Sequence, residues 1–84
     1  MTVCFTPSAW ADYLSFQQLD KKLTIKINSL IKDIVRSPFD GIGKPEPLKH
    51  GSTGLWSRRI DLEHRPVYQI MEEKLIIHQC RYHY

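Results

Sequence analysis

The 84-residue sequence contains little of what stabilises secreted or membrane proteins. It has only two cysteines, Cys4 and Cys80, and both fall inside apolar, strand-like runs. A single disulfide would be few for a small secreted protein, so we interpret both residues as buried reduced thiols. No apolar run approaches the roughly 20 residues that cross a bilayer, and no signal-peptide pattern opens the sequence. We therefore expect one domain over residues 1–84, located in the cytoplasm and without a membrane partner.

Glycine is scarce as well, and all four glycines fall between residues 39 and 54. Pro45 and Pro47 lie in the same stretch, which has little hydrophobic periodicity and is predicted to be a loop wrapped around the domain. Its Gly-Ile-Gly-Lys segment lacks the spacing of a phosphate-binding P-loop.

The four histidines and two cysteines do not have the spacing of a metal site. In the last predicted strand His78 and His83 have opposite parity and would face away from each other. Cys80 shares a face with His78, but its apolar neighbours place it in the core. We expect no metal and no cofactor.

The charge pattern is mildly basic, with twelve Lys and Arg against nine Asp and Glu. A net charge of +3 is compatible with a nucleic-acid partner but does not require one. Several acidic residues lie in predicted turns while the arginines lie in predicted strands, which would leave one sheet face positive. The lysines of the second helix are either a basic face for RNA or the solvated side of an amphipathic helix.

A short strand and two helices are predicted for the first half of the chain. Residues 2–5 are strand formers, and Thr6-Pro7 has the pattern of an N-cap followed by proline at the first helical position. The helix from about residue 7 to 18 is expected to place three residues on the core, Trp10, Tyr13 and Leu14.

The second helix is expected to begin after Asp20, which can cap it, and to end at Ser37-Pro38. Apolar residues recur along it at helical spacing. The predicted apolar stripe consists of Leu23, Ile27, Leu30, Ile31 and Ile34.

Three strand-like runs follow, at about residues 55–60, 67–71 and 75–82, and short polar turns separate them. Pro66 has to lie at a strand start or on an edge, because it cannot donate to a ladder. The predicted fold is α+β: a short N-terminal strand, two helices and an antiparallel meander (βααβββ, with room for one extra short strand). The helices would pack on one sheet face.

The residues of this second half match the requirements of metal-free phosphodiester cleavage. A base takes the proton from the ribose 2′-OH, cations stabilise the phosphate in the transition state, and an acid protonates the leaving 5′-oxygen. Each positioned proton transfer contributes roughly 10²–10⁴ in rate, and stabilisation of the developing charge often lowers the barrier more than any other effect.

Glu46 is the best candidate for the base. Pro45 and Pro47 fix φ on both sides, and Pro47 also restricts Glu46 to extended conformations. The alternative is an ordinary surface glutamate in a proline-rich loop.

Arg65, together with Arg58 or Arg59, is the natural phosphate-binding group, because the guanidinium fork matches two phosphate oxygens. Strand alternation points Arg58 and Arg59 to opposite faces, so only one of them can join Arg65. Strand register, which the sequence leaves open, decides which one. Alternatively, the arginines pair with carboxylates of the turns.

His83 is the candidate acid, because its ordinary pKa near 6.5 lets it donate at neutral pH. Alternation in the last strand puts Arg81 on the same face, which adds Arg81 to the predicted RNA-binding residues. The alternative is a frayed chain end.

Several motifs together make the chain resemble the YoeB/Txe toxins, which belong to the RelE superfamily of bacterial toxin–antitoxin modules. The resemblance covers essentially the whole chain. One departure is Pro66, where the family usually has an apolar residue able to donate a backbone hydrogen bond. The motifs are Lys44-Pro45-Glu46-Pro47-Leu48-Lys49-His50, Trp56-Ser57-Arg58-Arg59-Ile60, Glu63-His64-Arg65 and Cys80-Arg81-Tyr82-His83-Tyr84.

The resemblance implies a ribosome-dependent mRNA endonuclease that cuts in the A site with the 2′-OH as nucleophile and stops translation. It implies Glu46 as general base, His83 as general acid and Arg65 as stabiliser of the transition-state phosphate. It further implies supporting roles for Lys49, Arg59 and Tyr84. The resemblance thus favours Arg59 over Arg58 as the second cation and puts Arg59, Arg65 and His83 in one cleft.

The implied partners are a YefM/Axe-like antitoxin, the 70S ribosome with its mRNA, and a second copy in a homodimer. Operator DNA would be contacted only through the antitoxin complex. Two other functions remain open at this point: a non-catalytic ribosome or RNA binder that blocks translation by occupancy, and an antitoxin-dependent transcriptional corepressor.

Overall fold

The computed structural model describes residues 1–48 and 54–82, in which two helices accompany a five-stranded sheet. The strand order is β1-β5-β4-β3-β2; β1 runs parallel to β5, and the other neighbours are antiparallel. The predicted α+β arrangement is confirmed, including the extra short strand. The elements are β1 Thr2–Phe5, α1 Pro7–Leu19, α2 Lys21–Arg36, β2 Glu46–Pro47, β3 Trp56–Ser57, β4 Arg65–Met71 and β5 Lys74–Tyr82.

Both helix starts carry the caps that the sequence predicts. Thr6 Oγ1 accepts from the Ala9 N–H at 3.2 Å, and Asp20 Oδ1 accepts from the Leu23 N–H at 3.1 Å. The Thr6 hydroxyl also donates to the His78 carbonyl at 2.9 Å. This bond fixes the start of α1 against β5.

The predicted core side of α1 is wrong for Trp10 and Leu14, whereas Tyr13 packs partly buried against the core. Trp10 and Leu14 are 47% and 40% exposed, whereas Ala9 and Phe16 are buried. Trp10 instead stacks on Tyr13 at the rim, with ring centroids 5.8 Å apart. Ala9 is fully buried, and its carbonyl oxygen lies 3.9 Å from Cys80 Sγ of β5, a close approach that a small side chain allows.

The second helix follows its prediction more closely. Ile27, Leu30 and Ile34 are buried, and Leu23 and Ile31 pack partly buried against them. The lysines of α2 are exposed. The buried side of α2 also contains Asp33, which is 8% exposed and is discussed below.

The strand predicted for residues 55–60 is much shorter, because only Trp56 and Ser57 pair as a strand. Beyond them, isolated backbone bonds continue from Arg58 N–H to the Pro66 carbonyl and from Ile60 N–H to the His64 carbonyl. Pro66 is tolerated as expected near the strand start, at a shift of register within β4.

Both cysteines are free thiols. Cys80 is fully buried, and this burial, together with the nearby Asp12 carboxylate, raises its pKa to about 12. Cys4 is partly buried on β1. Within the described part of the chain, no helix is long and apolar enough to cross a membrane.

Candidate active site

Glu46 and Arg65 form an ion pair at the β2–β3–β4 side of the sheet. Arg65 Nη1 donates to Glu46 Oε1 at 2.5 Å and lies 3.4 Å from Ser57 Oγ. The Arg65 side chain is 12% exposed and that of Glu46 is 42% exposed, so the guanidinium is sheltered while the carboxylate reaches solvent. The fold therefore brings together two of the three predicted catalytic groups, 19 residues apart in the chain.

The backbone around Glu46 is held on both sides. Glu46 pairs with Ser57 and Pro47 with Trp56, and the Leu48 N–H donates to the Leu55 carbonyl at 2.9 Å. The flanking prolines restrict φ further. A carboxylate on such a backbone loses little conformational freedom when it meets a substrate.

Arg65 pairs with the last described residue of β5. It is the β-partner of Tyr82 on β5, and Tyr82 is followed in the sequence by His83. Three predicted site residues lie outside the described residues, so their roles stay predictions: Lys49, His83 and Tyr84.

Arg58 does not serve as a surface contact for RNA, contrary to its place among the predicted RNA-binding residues. It is fully buried, and its Nη1 donates to Asp33 Oδ2 at 2.5 Å. Ser57 and Arg58 are both buried where the chain leaves β3, and the guanidinium points under the loop that follows α2. Hydrogen bonds from Arg36 first, and then from Arg58, lower the pKa of Asp33 to about 2.

Arg59 is exposed next to the buried Arg58, so the two arginines point in opposite directions, as alternation predicts. Its backbone N–H donates to the Gly43 carbonyl at 2.6 Å. Arg59 also contributes to the wall of a depression of about 220 Å³ beside α2, together with residues such as Ile25 and Ile42. Its contact with RNA stays a prediction.

Arg81 is exposed on β5, but its described contact is with α1. Its guanidinium carbon lies 5.2 Å from the centroid of the Phe16 ring, in a cation–π arrangement. The His64 ring meets the same phenyl ring edge-on, with centroids 5.4 Å apart. Arg81 thus has a packing role that sequence reasoning missed, and its contact with RNA stays a prediction.

No group of three His, Cys, Asp or Glu side chains is placed to hold a metal ion within residues 1–48 and 54–82. His78 is engaged elsewhere, because its Nε2 lies 2.6 Å from Gln69 Oε1.

The buried polar network around Arg58 was not anticipated from the sequence. A signal for it was present in α2, where Asp33 falls on the apolar side between Leu30 and Ile34. A carboxylate at such a position needs a buried partner, since an unpaired buried charge is costly.

Comparison with known proteins supports the motif-based resemblance. Residues 5–84 match the family model described as YoeB-like toxin of bacterial type II toxin–antitoxin system. The chain is 61% identical over 84 residues to the toxin YoeB of Synechocystis sp., covering all of this chain and 98% of that one. It is 54% identical to the toxin YoeB of Escherichia coli K12, with complete coverage of both chains.

Solved structures agree with this sequence similarity. A YoeB/ParE toxin from Agrobacterium tumefaciens superposes with a TM-score of 0.95 at 48% identity, covering both chains fully. YoeB of Staphylococcus aureus is similar both as a dimer (TM-score 0.95) and in a heterotetrameric YoeB–YefM toxin–antitoxin complex (TM-score 0.90), each at 49% identity. Both alignments cover all of this chain and 98% of the S. aureus chain.

Fold, motifs and overall similarity define a toxin of the α+β class whose members act in toxin–antitoxin modules. The chain belongs to the YoeB-like toxins of bacterial type II toxin–antitoxin systems.

Proposed function

We propose that this toxin is a metal-independent endoribonuclease that cleaves mRNA in the ribosomal A site and thereby inhibits translation in the cytoplasm. The observation that carries the proposal is the Glu46–Arg65 ion pair, with its oxygen and nitrogen 2.5 Å apart. It puts a candidate base and a candidate phosphate-binding group within reach of a single phosphodiester.

In the proposed reaction Glu46 takes the proton from the ribose 2′-OH, whose oxygen then attacks the adjacent phosphorus. Arg65 stabilises the charge that develops on the phosphate oxygens, and His83 protonates the leaving 5′-oxygen. Lys49, Arg59 and Tyr84 assist by binding RNA. The products are one fragment with a 2′,3′-cyclic phosphate and another with a 5′-hydroxyl.

The proposal includes partners that solved relatives support. YefM in the S. aureus complex supports a YefM-like antitoxin for this chain, and the S. aureus dimer supports a homodimer. An antitoxin segment that folds over the Glu46–Arg65 side would inhibit by occlusion. Contact with operator DNA would be made through that complex.

The test is cleavage of a defined mRNA on purified 70S ribosomes, with mapping of the 5′ ends and of their chemistry. We expect cuts within the A-site codon, 5′-hydroxyl ends, and no cleavage without ribosomes. Products with 5′-phosphate ends would contradict the metal-independent route, and equal cleavage of free mRNA would contradict ribosome dependence.

A matched pair of variants separates catalysis from occupancy. Glu46→Gln removes the base while keeping its size, and Glu72→Gln makes the same change in the exposed β4–β5 turn. We expect about 10²-fold or greater loss of cleavage for the first and none for the second. If the protein blocked translation by occupancy, the Glu46→Gln variant would inhibit translation as well as the parent chain does. If it were a corepressor, the parent chain would be harmless when expressed alone.

A further inference from the structure

The loop between α2 and β2 leads directly to Glu46, the first residue of β2, and the Arg58 side chain holds the backbone of this loop. Arg58 Nη2 donates to the carbonyls of Ser37 at 2.5 Å and Asp40 at 2.8 Å. Its Nη1 donates to the Ile42 carbonyl at 3.2 Å as well as to Asp33. One guanidinium therefore binds three carbonyls spread over six residues of this loop.

Two further side chains complete this arrangement. Arg58 Nε donates to Tyr68 Oη at 3.2 Å, and the Tyr68 hydroxyl donates to the Pro38 carbonyl at 2.6 Å. Asp33 Oδ2 accepts from the Ile42 N–H at 3.0 Å. In the described part of the chain no buried side-chain nitrogen or oxygen lacks a partner. We call Asp33, Arg58 and Tyr68 the loop anchor.

The glycines of the loop fit against the loop anchor. At Gly41, φ is +123°, and a Cβ would lie 2.0 Å from Asp33 Oδ2. At Gly43, φ is +78°, and a Cβ would lie 2.8 Å from a Leu30 methyl and 2.9 Å from the Arg59 carbonyl oxygen. Both positions require glycine for conformation and for space, which indicates that the loop backbone has one tightly defined path.

This path leads directly to the catalytic carboxylate. Gly43 is tied to the sheet by the Arg59 N–H, and three residues later Glu46 pairs with Ser57. A displacement of the backbone at residues 37–43 is therefore passed on to Glu46, since only two residues, Lys44 and Pro45, lie between the two attachment points and leave little slack.

We propose that Arg58 is a positioning residue that, through its bonds to the loop backbone, sets where the Glu46 carboxylate lies relative to Arg65. The inference rests on the proposed function for the role of Glu46 itself. In the proposed reaction Arg58 touches no reacting atom. A misplacement of about 1 Å at a catalytic group can lower a rate by about 10²-fold, so an anchor of this kind has a large effect on turnover.

Two variants test the anchor without leaving an unpaired charge inside the protein. Arg58→Lys keeps a cation beside Asp33, but its single nitrogen cannot serve three carbonyls and Tyr68 together. Tyr68→Phe removes only the hydroxyl. The matched control is Ile27→Val, which removes one methylene group from a fully buried side chain of α2 outside the loop anchor.

The first measurement is amide hydrogen exchange by NMR, which needs no enzymatic activity. We monitor the Arg59 amide, which bonds to Gly43 of the loop, and the Leu48 amide, which bonds to Leu55 beside Glu46. For both anchor variants we expect these amides to exchange about 10-fold faster than in the parent chain, beyond the change that the loss of global stability causes. Amides of the β4–β5 pairing should change only as they do in Ile27→Val. The proposal would be overturned if the Arg59 and Leu48 amides exchanged at the same rate in the anchor variants as in Ile27→Val.

The second measurement is single-turnover cleavage on programmed ribosomes, together with ribosome affinity. We expect Arg58→Lys to lower the cleavage rate about 10- to 10²-fold with unchanged affinity, and Tyr68→Phe to act in the same direction. In a Glu46→Gln background neither change should lower the residual rate further. An equal further loss there would mean that Arg58 does not act through Glu46.

The two proposals can fail separately. If the parent chain cleaves no mRNA, the proposed function fails. The exchange data and the NMR signals of the Arg65 side-chain N–H groups then still decide whether Arg58 holds Glu46 against Arg65. If the parent chain cleaves but the anchor variants cleave at the rate of Ile27→Val, the positioning role fails and the proposed function stands.

Discussion

Arg65 Nη1 lies 2.5 Å from Glu46 Oε1, so the proposed phosphate-binding cation and the proposed base are ion-paired with each other. An incoming phosphate group has to compete with this carboxylate for the guanidinium. The competition has measurable consequences for binding as well as for cleavage.

Glu46→Gln should bind mRNA-programmed ribosomes at least as tightly as the parent chain, even though it cleaves far more slowly. The neutral amide no longer competes with phosphate for Arg65, and one negative charge near the RNA is lost. Affinity can be measured with mRNA that carries a 2′-O-methyl group at the scissile position, which neither protein can cut. Clearly weaker binding would show that Glu46 contributes contacts to the complex that outweigh its repulsion.

Arg65→Lys should lower cleavage about 10²–10³-fold, because a lysine places one point charge where the guanidinium offers a planar fork of donors. The positive charge near Glu46 is retained, so we expect only a small change in thermal midpoint. The measurement is single-turnover cleavage alongside thermal unfolding.

The pH dependence of stability should carry a contribution from Asp33. Its pKa is lowered from 3.8 to about 2 in the folded chain, mainly by Arg36 and then by Arg58. A carboxyl with a depressed folded pKa binds fewer protons when folded, so its stabilisation is present above about pH 4 and is lost as the pH falls toward 2.

Thermal midpoints between pH 2 and 5 check this prediction. Asp33→Asn should be less stable than the parent chain at pH 5, because Arg58 loses its anionic partner, but its midpoint should fall less steeply with acid. Parallel curves for the two proteins would show that other carboxylates account for the whole dependence.

Phe16→Ala should destabilise the protein by about 3–5 kcal/mol, the usual cost of emptying a buried aromatic site. Phe16 is 3% exposed and also contacts His64 and Arg81, whereas Trp10 is nearly half exposed. Trp10→Ala should therefore cost clearly less, although tryptophan is the larger side chain. Denaturant unfolding of the two variants gives the comparison, and a larger loss for Trp10→Ala would reverse the assignment of the core side of α1.

The local elements were largely predictable because their determinants are short-range. Thr6 and Asp20 cap the helices as their sequence contexts indicate, and the stripe of α2 follows its 3.6-residue period. The core side of α1 was missed because two large aromatic residues dominated the pattern, while the contact with β5 depends on the small Ala9. Helical spacing cannot show which of two faces a neighbouring strand will approach.

The arginines likewise separate what local pattern predicts from what depends on the fold. Alternation correctly separated Arg58 from Arg59, but it could not tell which one would be buried. That outcome depends on Asp33, which lies 25 residues away on α2, and on Tyr68 of the neighbouring strand. The position of Asp33 on the apolar face of α2 indicated that this carboxylate needs a buried partner. The sequence alone could not show that the partner is Arg58.

By itself, the sequence determined the α+β class, the helix starts, the likeness to the YoeB-like toxins and the choice of Glu46 and Arg65 as candidates. These follow from local patterns and ordered motifs that survive without coordinates. Only the tertiary structure decided that Arg65 meets Glu46 while Arg58 turns inward and binds the loop that leads to Glu46. The physical reason is that side-chain direction in a sheet depends on register, and the register here is shifted beside Pro66 within β4.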